Sequence, residues 1–379
     1  MTIPGRPLHV MELGTLLGVG GITRHMVALT CHLRGQGHRV TYAGSPDAWV
    51  NAATEADFLD LPIHQVSSGG GSLPRRLMAT ARAAWRLRRW LKRHPVDLMH
   101  AHDSAPALVA NLARKGLGLP LIVTYHGSEP ERVAGFGRIA RACDLVVTPS
   151  HRSAEDLAGI GGVPRDRLKV LGLGVNPPPA VSDDAVSALR NRLLAGGERL
   201  IVTIARLTHQ KGIDILIDCV DRLKARHPGW RFVVAGDGFQ EAELKALAER
   251  RGVLSHLTFL GRTSEPHRLL RAADLFLLTS RWEALPFTIV EAFQAGVPAV
   301  ATACSGVVEL IDDEVGRVVP VGDVTAICAA VEDVLADEGR RQAMAAAALA
   351  RSTEDRFNPD WVHPQFEALY RSLARGGNG

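Results

Sequence analysis

The chain has 379 residues, 46% of them hydrophobic and 22% charged, with a formal net charge of +4. That length suits two domains of ordinary size, and that balance excludes a disordered or fibrous chain. No stretch approaches the roughly 20 apolar residues of a membrane span, and Met1 to Gly14 lacks the basic segment and apolar run of a signal peptide.

Cys31, Cys143, Cys219, Cys304 and Cys328 are odd in number and scattered, without a Cys-x-x-Cys pair. They read as reduced thiols in a cytoplasmic protein rather than a disulfide frame or a zinc site. Charge is uneven: residues 1–180 carry 21 Lys and Arg against 13 Asp and Glu, while residues 181–379 carry 23 against 27. A basic front half suits an anionic surface or substrate.

The first apolar run, Leu8–Leu13, reads as a buried strand and leads into Gly18-Val-Gly20-Gly21-Ile-Thr-Arg24, which opens a helix. Glycine there lets backbone N–H groups approach a phosphate. A dinucleotide fingerprint would need a third glycine where Thr23 stands, and an acidic residue closing the second strand, Arg39–Ala43. Gly69–Gly71 marks a short loop. Leu73 to Arg93 then follows a helical period. Arg75, Arg82, Arg86, Arg89 and Arg93 collect on one side, with Trp85 and Trp90 at its borders. Leu73, Leu77, Ala84, Leu87 and Leu91 collect opposite, where they are expected to pack on the sheet, and Thr80 is expected to bond back to a helix carbonyl. Cations bordered by tryptophans suit the headgroups of an anionic bilayer, so the stripe reads either as an ordinary exposed basic helix or as a surface for peripheral docking on the inner face of the plasma membrane. No basic-aromatic platform for nucleic acid accompanies them.

Further strands are expected at Asp97–His100, Leu121–Tyr125 and Leu145–Thr148. After Pro177-Pro178-Pro179 the rhythm restarts at Leu200–Ile204, Arg231–Ala235, Leu257–Leu260, Leu275–Leu278, Ala299–Thr302 and Gly316–Val319. Buried strands alternating with helices mean parallel sheets in two successive units. The boundaries are placed at 1–176 and 177–357, and residues 358–379 are expected to form a helix that packs back on the first domain.

The second half carries the stronger chemistry. Arg206 and Lys211 follow a strand directly, so they sit at the strand-end edge where ligands of parallel sheets gather and can neutralise a departing diphosphate. Val234-Ala-Gly236-Asp237-Gly238 is a strand and a glycine turn. Glu283 and Glu291 straddle a turn-to-helix junction: Pro286 suits the first helical position, with Phe287 to Gln294 running on as helix. Glu283 then lies at the helix mouth and Glu291 just over one turn inside, flanking a place where N–H groups and the dipole can hold a phosphate. Ser305-Gly306-Val-Val-Glu309 repeats the design, with a helix whose N-terminus is open to an anion.

In this order, Arg206-x4-Lys211-Gly212, Gly236-Asp237-Gly238, Phe259-Leu260-Gly261, Glu283-x7-Glu291 and Ser305-Gly306-x2-Glu309 resemble the retaining GT-B glycosyltransferases of family four (glycosyl transferases group 1). Gly20-Gly21, Gly37-His38-x-Val40, Asp97-Leu-Met-His100-Ala-His102 and Thr124-Tyr-His126-Gly127 extend the likeness over the first half. The resemblance implies an α/β GT-B fold, two Rossmann-like domains facing across a cleft that holds the active site. It implies a nucleoside-diphosphate sugar as donor, a glycan, lipid-linked or small-molecule hydroxyl as acceptor, and retained anomeric configuration, in envelope glycolipid, polysaccharide or natural-product synthesis. By it Arg206 and Lys211 hold the diphosphate, Glu291 the ribose hydroxyls, and Glu283 and His126 the transferred sugar. Gly20, Gly21, Gly236, Leu285, Ser305, Gly306 and Glu309 complete the donor site. Ala284-Leu285-Pro286 stands where the family often has glycines, and proline offers no N–H to a phosphate.

His100-Ala-His102-Asp103 admits a metal reading, since alternate strand residues share a face. No Asp-x-Asp occurs, however, and the cationic pair already supplies charge neutralisation. Metal-independent transfer with no cofactor is the expectation. A nucleotide-sugar epimerase or hydrolase, and a catalytically silent sugar-nucleotide-binding protein, are the alternatives.

Overall fold

A computed structural model describes residues 6–18, 20–46, 57–67 and 72–376. Residues 68–71, which hold the expected glycine loop, and Val19 of the first phosphate-loop candidate lie outside that set. The chain divides into two units, residues 1–174 with 358–379, and residues 175–357.

The first unit is built on seven parallel strands: β1 (His9–Leu17), β2 (Arg39–Pro46), β3 (Phe58–Asp60), β4 (Leu98–His102), β5 (Leu121–Thr124), β6 (Leu145–Thr148) and β7 (Leu168–Val170), in the order β3-β2-β1-β4-β5-β6-β7. β3 and β7 were not expected. Both are three-residue edge strands with partly exposed side chains, so no apolar run announces them. The second unit has six: β8 (Arg199–Ile204), β9 (Trp230–Ala235), β10 (Leu257–Gly261), β11 (Leu275–Leu278), β12 (Ala299–Thr302) and β13 (Gly316–Val319), in the order β10-β9-β8-β11-β12-β13. Helices cover the strands on both faces, which is why the strands read as continuous branched apolar runs. Both units share the doubly wound 3-2-1-4-5-6 order, so each has a switch point, between β1 and β4 and between β8 and β11. The architecture is the GT-B type.

The core of the first unit is completed by the end of the chain. Val362, Phe366 and Tyr370 of the Pro359–Gly376 helix are buried with Val10, Leu98, Ile122 and Val147 of the sheet, while Trp361 is exposed.

The Leu73–Leu91 helix behaves differently from its helical wheel. Ala83, Ala84, Leu87 and Leu91 are buried, and Thr80 Oγ1 donates to the Arg76 carbonyl at 2.8 Å, as expected. Leu73 and Leu77, however, are 68% and 61% exposed, and Met78 beside them is exposed as well. A wheel gives the direction of a face but not the length over which a partner lies against it, and here contact begins near Ala79. Arg75, Arg82, Arg86, Arg89 and Arg93 are exposed. Trp85 is exposed with the Arg89 guanidinium 5.4 Å from its ring centre, whereas Trp90 turns inward to stack on His94. No helix among the described residues is long and apolar enough to cross a membrane.

Candidate functional site

The second unit's switch point positions the expected cations and carboxylates. Residues 205–212 leave β8 and end in a 3-10 turn, His209–Lys211; residues 279–286 leave β11 and lead to the Phe287–Gln294 helix. β8 and β11 are neighbours, so these loops start side by side. Hydrogen bonds then lace them together. The Arg281 guanidinium donates to both Asp214 carboxylate oxygens, at 2.9 and 2.6 Å, and to the His209 carbonyl at 2.8 Å. Gln210 Nε2 donates to the Trp282 carbonyl at 3.0 Å, and Thr279 Oγ1 to the Gly212 carbonyl at 2.8 Å. Seventy-two residues apart in sequence, Lys211 and Glu283 therefore meet, and the ammonium donates to Glu283 Oε1. Ser280 Oγ donates to the same oxygen at 2.7 Å. The carboxylate is 7% exposed, and a charge that far from water needs such partners, since the pair's attraction alone rarely offsets its desolvation.

Arg206 stands on the same loop as Lys211. Its guanidinium is exposed and makes no hydrogen bond or ion pair with any described residue. Glu291 is fully buried as the fifth residue of its helix. Pro286 is not the first helical residue: it takes the cap position in extended conformation, and Phe287 begins the helix. Two glycines are required by close approach. A Cβ on Gly236, whose φ is +140°, would lie 1.9 Å from the Ala205 carbonyl oxygen, and one on Gly306 would lie 1.4 Å from that of Ala284. Gly306 thus seats the β12 loop directly on the loop that carries Glu283. Leu285 is buried there, and Ser305 and Glu309 are half-buried. The helix expected after Ser305 does not form. Val307–Glu309 is a three-residue 3-10 turn, too short to build a dipole at its end.

In the first unit, Gly20 caps the Gly21–Gly35 helix with φ 171°. Any residue can adopt that extended backbone, and a Cβ there would meet nothing within 4 Å. Neither conformation nor neighbours require glycine at this position. His126 follows β5, half-buried, and its Nε2 lies 3.0 Å from His102 Nδ1.

Residues 187–351 match the family of glycosyl transferases group 1, and residues 19–177 match glycosyltransferase family 4. Both parts of the chain are thus similar to glycosyltransferase domains. Among its relatives is the lipopolysaccharide core biosynthesis mannosyltransferase LpsB of Rhizobium meliloti, 31% identical over 52% of this chain and 58% of that one. The chain thus spans a little over half the length of that relative. The phosphatidyl-myo-inositol mannosyltransferase of Mycobacterium leprae is 27% identical over 95% of both chains. Among solved structures, Anabaena HepE in complex with UDP and glucose superposes with a TM-score of 0.80 at 21% identity, covering 96% of this chain and all of that one. Sucrose-phosphate synthase from Thermosynechococcus elongatus gives 0.82 at 19% identity, covering 97% and 100%. Both share the fold.

The first unit also contains a cluster that the sequence alone did not assemble. Glu12 of β1 and His100 and His102 of β4 are fully buried across the first switch point, with ligand atoms within 4.8 Å of one another. His102 Nε2 lies 2.7 Å from Glu12 Oε2, and the Tyr370 hydroxyl donates to Glu12 Oε1 at 3.1 Å. Burial alone would raise the Glu12 pKa, but the His100 and His102 rings hold it well below the usual carboxylate range. Asp103, expected beside the histidines, instead caps the Ser104–Ala113 helix by accepting from Ser104 N–H, and burial raises its pKa to about 6. The signal for Glu12 was available: a carboxylate inside His9-Val-Met-Glu-Leu needs a buried partner.

Proposed function

We propose that the chain is a retaining glycosyltransferase that moves a sugar from a nucleoside-diphosphate sugar to an acceptor hydroxyl without a divalent metal. The observation that carries this reading is the Lys211–Glu283 pair at the β8/β11 switch point, with exposed Arg206 on the same loop. A diphosphate leaving group develops charge as the glycosidic bond breaks, and a guanidinium and an ammonium carried at one sheet edge can stabilise it. Glu283 Oε1 is occupied by Lys211 and Ser280, which leaves Oε2 to accept from a sugar hydroxyl. Glu291 is the candidate for the ribose hydroxyls, and Gly236, Leu285, Ser305, Gly306 and Glu309 line the remaining donor contacts. The open space at Gly20 suits a phosphate approaching the backbone there and at Gly21.

The named relatives act on lipopolysaccharide core and phosphatidyl-myo-inositol. A lipid-linked or glycan hydroxyl is accordingly the proposed acceptor, and an anionic membrane surface is the proposed partner of the Leu73–Leu91 helix.

The test is transfer from a panel of UDP-, GDP- and ADP-sugars to lipid-linked and soluble acceptors, with the anomeric configuration of the product read by NMR. Arg206→Ala and Lys211→Ala should each lower kcat by roughly 10²–10³-fold, the scale of losing one electrostatic stabiliser. Near-normal turnover in both variants, an inverted product, or loss of activity in EDTA that magnesium or manganese restores would each refute the corresponding part. Release of free sugar with every acceptor would instead favour a hydrolase.

A further inference from the structure

We propose that Glu12 and His102 are positioning residues that lock His126 in one neutral tautomer, Nε2–H directed inward, so that its Nδ1 is a fixed acceptor for a hydroxyl of the bound carbohydrate. The identity of the ligand rests on the glycosyl-transfer reading; the tautomer does not.

The argument runs outward from Glu12. An ionised carboxylate only accepts hydrogen bonds. Its Oε1 takes the Tyr370 O–H at 3.1 Å, so Oε2, at 2.7 Å from His102 Nε2, must receive a proton that His102 carries on that nitrogen. Burial, followed by the neighbouring His100, pushes the His102 pKa down to about 4, so the ring is neutral near pH 7 and its Nδ1 is bare. A bare Nδ1 at 3.0 Å from His126 Nε2 can only accept, which puts the His126 proton on Nε2. Burial, with His102 and His100 adding to it, holds the His126 pKa well below its ordinary value, so Nδ1 carries no proton. His126 is half-buried, and this acceptor is the part of the ring that the chain of bonds leaves unused.

The remaining groups around the pair agree. His100 Nε2 lies 2.7 Å from Thr124 Oγ1 and its Nδ1 2.6 Å from the Tyr370 hydroxyl. A Thr124 hydroxyl donating to Nε2 is compatible with an Nδ1–H that donates to Tyr370, whose own proton goes to Glu12, and Nδ1 also lies 3.4 Å from Glu12 Oε2. His25, on the first helix, presents its ring to His102 and His126 at centroid distances of 5.7 and 5.8 Å. No described residue hydrogen-bonds either of its ring nitrogens, so it takes no part in the chain of bonds. Reversing the direction would require a protonated Glu12 at the point where donors converge. The arrangement makes His126 a hydrogen-bond acceptor of fixed direction rather than a proton donor.

The test is a two-bond 1H–15N correlation spectrum of the full chain labelled at histidine, between pH 6 and 8, with His126 assigned as the signals lost in His126→Ala. A single neutral Nε2–H pattern, constant over the range, is expected. A Nδ1–H pattern, an averaged pattern or an imidazolium overturns the proposal. His102→Phe keeps a ring but removes both bonds. There His126 should show averaged tautomers, and kcat/KM should fall about tenfold, the scale of one misdirected hydrogen bond. A His102→Phe variant that retains the pure tautomer, or that loses it at full transfer rate, contradicts the proposed link. Because the wild-type spectrum decides the tautomer, failure of the variant to fold leaves the proposal falsifiable. A locked His126 in a chain that transfers no sugar would sink the functional reading alone.

Discussion

Gly306 shows how one missing methyl group positions a site. The Ala284 carbonyl occupies the space a side chain at 306 would need, 1.4 Å from its ideal Cβ. Gly306→Ala must therefore push apart the loops after β11 and β12, and overpacking of this kind costs about 1–3 kcal/mol. The expected outcome is a lowered melting temperature together with a loss of transfer larger than the stability change explains, because the displaced loop carries Glu283. Unchanged donor KM and kcat in that variant would show that the two loops are not mechanically joined. At this scale the sequence was legible where spacing encodes geometry: eight residues do place Glu283 before and Glu291 inside one short helix. It was silent where partners come from distant chain. Nothing local to Glu12 names Tyr370, and nothing local to Lys211 names Ser280.

Elements were legible in proportion to their burial. Leu275–Leu278 and Ala299–Thr302 agree with expectation residue for residue, because a strand covered on both faces is largely apolar; the edge strand Gly316–Val319 agrees as well, although it carries Arg317. The edge strands β3 and β7 carry no such requirement. The segment after Ser305 was read as a helix from its strand-turn pattern, yet only a 3-10 turn forms. The Leu73–Leu91 helix is the instructive failure. Its apolar stripe is real, but the core, reached through the Ser104–Ala113 and His64–Ser67 helices, takes up only the stretch from Ala79 onward, leaving Leu73, Leu77 and Met78 uncovered. If this end meets a bilayer, apolar side chains should enter it as well as cations touching its headgroups. Vesicle sedimentation separates the two contributions. Arg82, Arg86 and Arg89 changed together to Glu should abolish binding to anionic liposomes, and Leu73→Ser with Leu77→Ser should weaken binding in a way that added salt does not reproduce. Liposome binding that survives the charge reversal ends the idea.

For the whole molecule, the parallel doubly wound class follows from the repeated strand-helix rhythm, while acid sensitivity follows from contacts that only the fold creates. Burial lowers the pKa of His25, His102, His126 and His363, with His102 and His363 brought to about 4. Each stays neutral when folded but takes up a proton on unfolding below its ordinary value of about 6.5, so its contribution is intact above that pH and is lost toward pH 4. Asp103, raised to about 6 by burial, works in the opposite direction over most of this window, from about pH 6 downward. Four buried histidines against one carboxyl leave stability falling as the pH drops through this window. Denaturant melts at pH 7, 6 and 5 should show stability falling steeply with acidification; a flat profile would mean that these rings are hydrated in solution. All five groups belong to the unit that the last helix completes. That arrangement bears on synthesis. A ribosome releases residues 175–357 as one uninterrupted stretch able to condense on its own, whereas the hydrophobic face awaiting Val362, Phe366 and Tyr370 stays bare until residues 359–376 have followed. A nascent chain stalled before residue 359 would expose that face, so the unit begun earlier is the later of the two to mature.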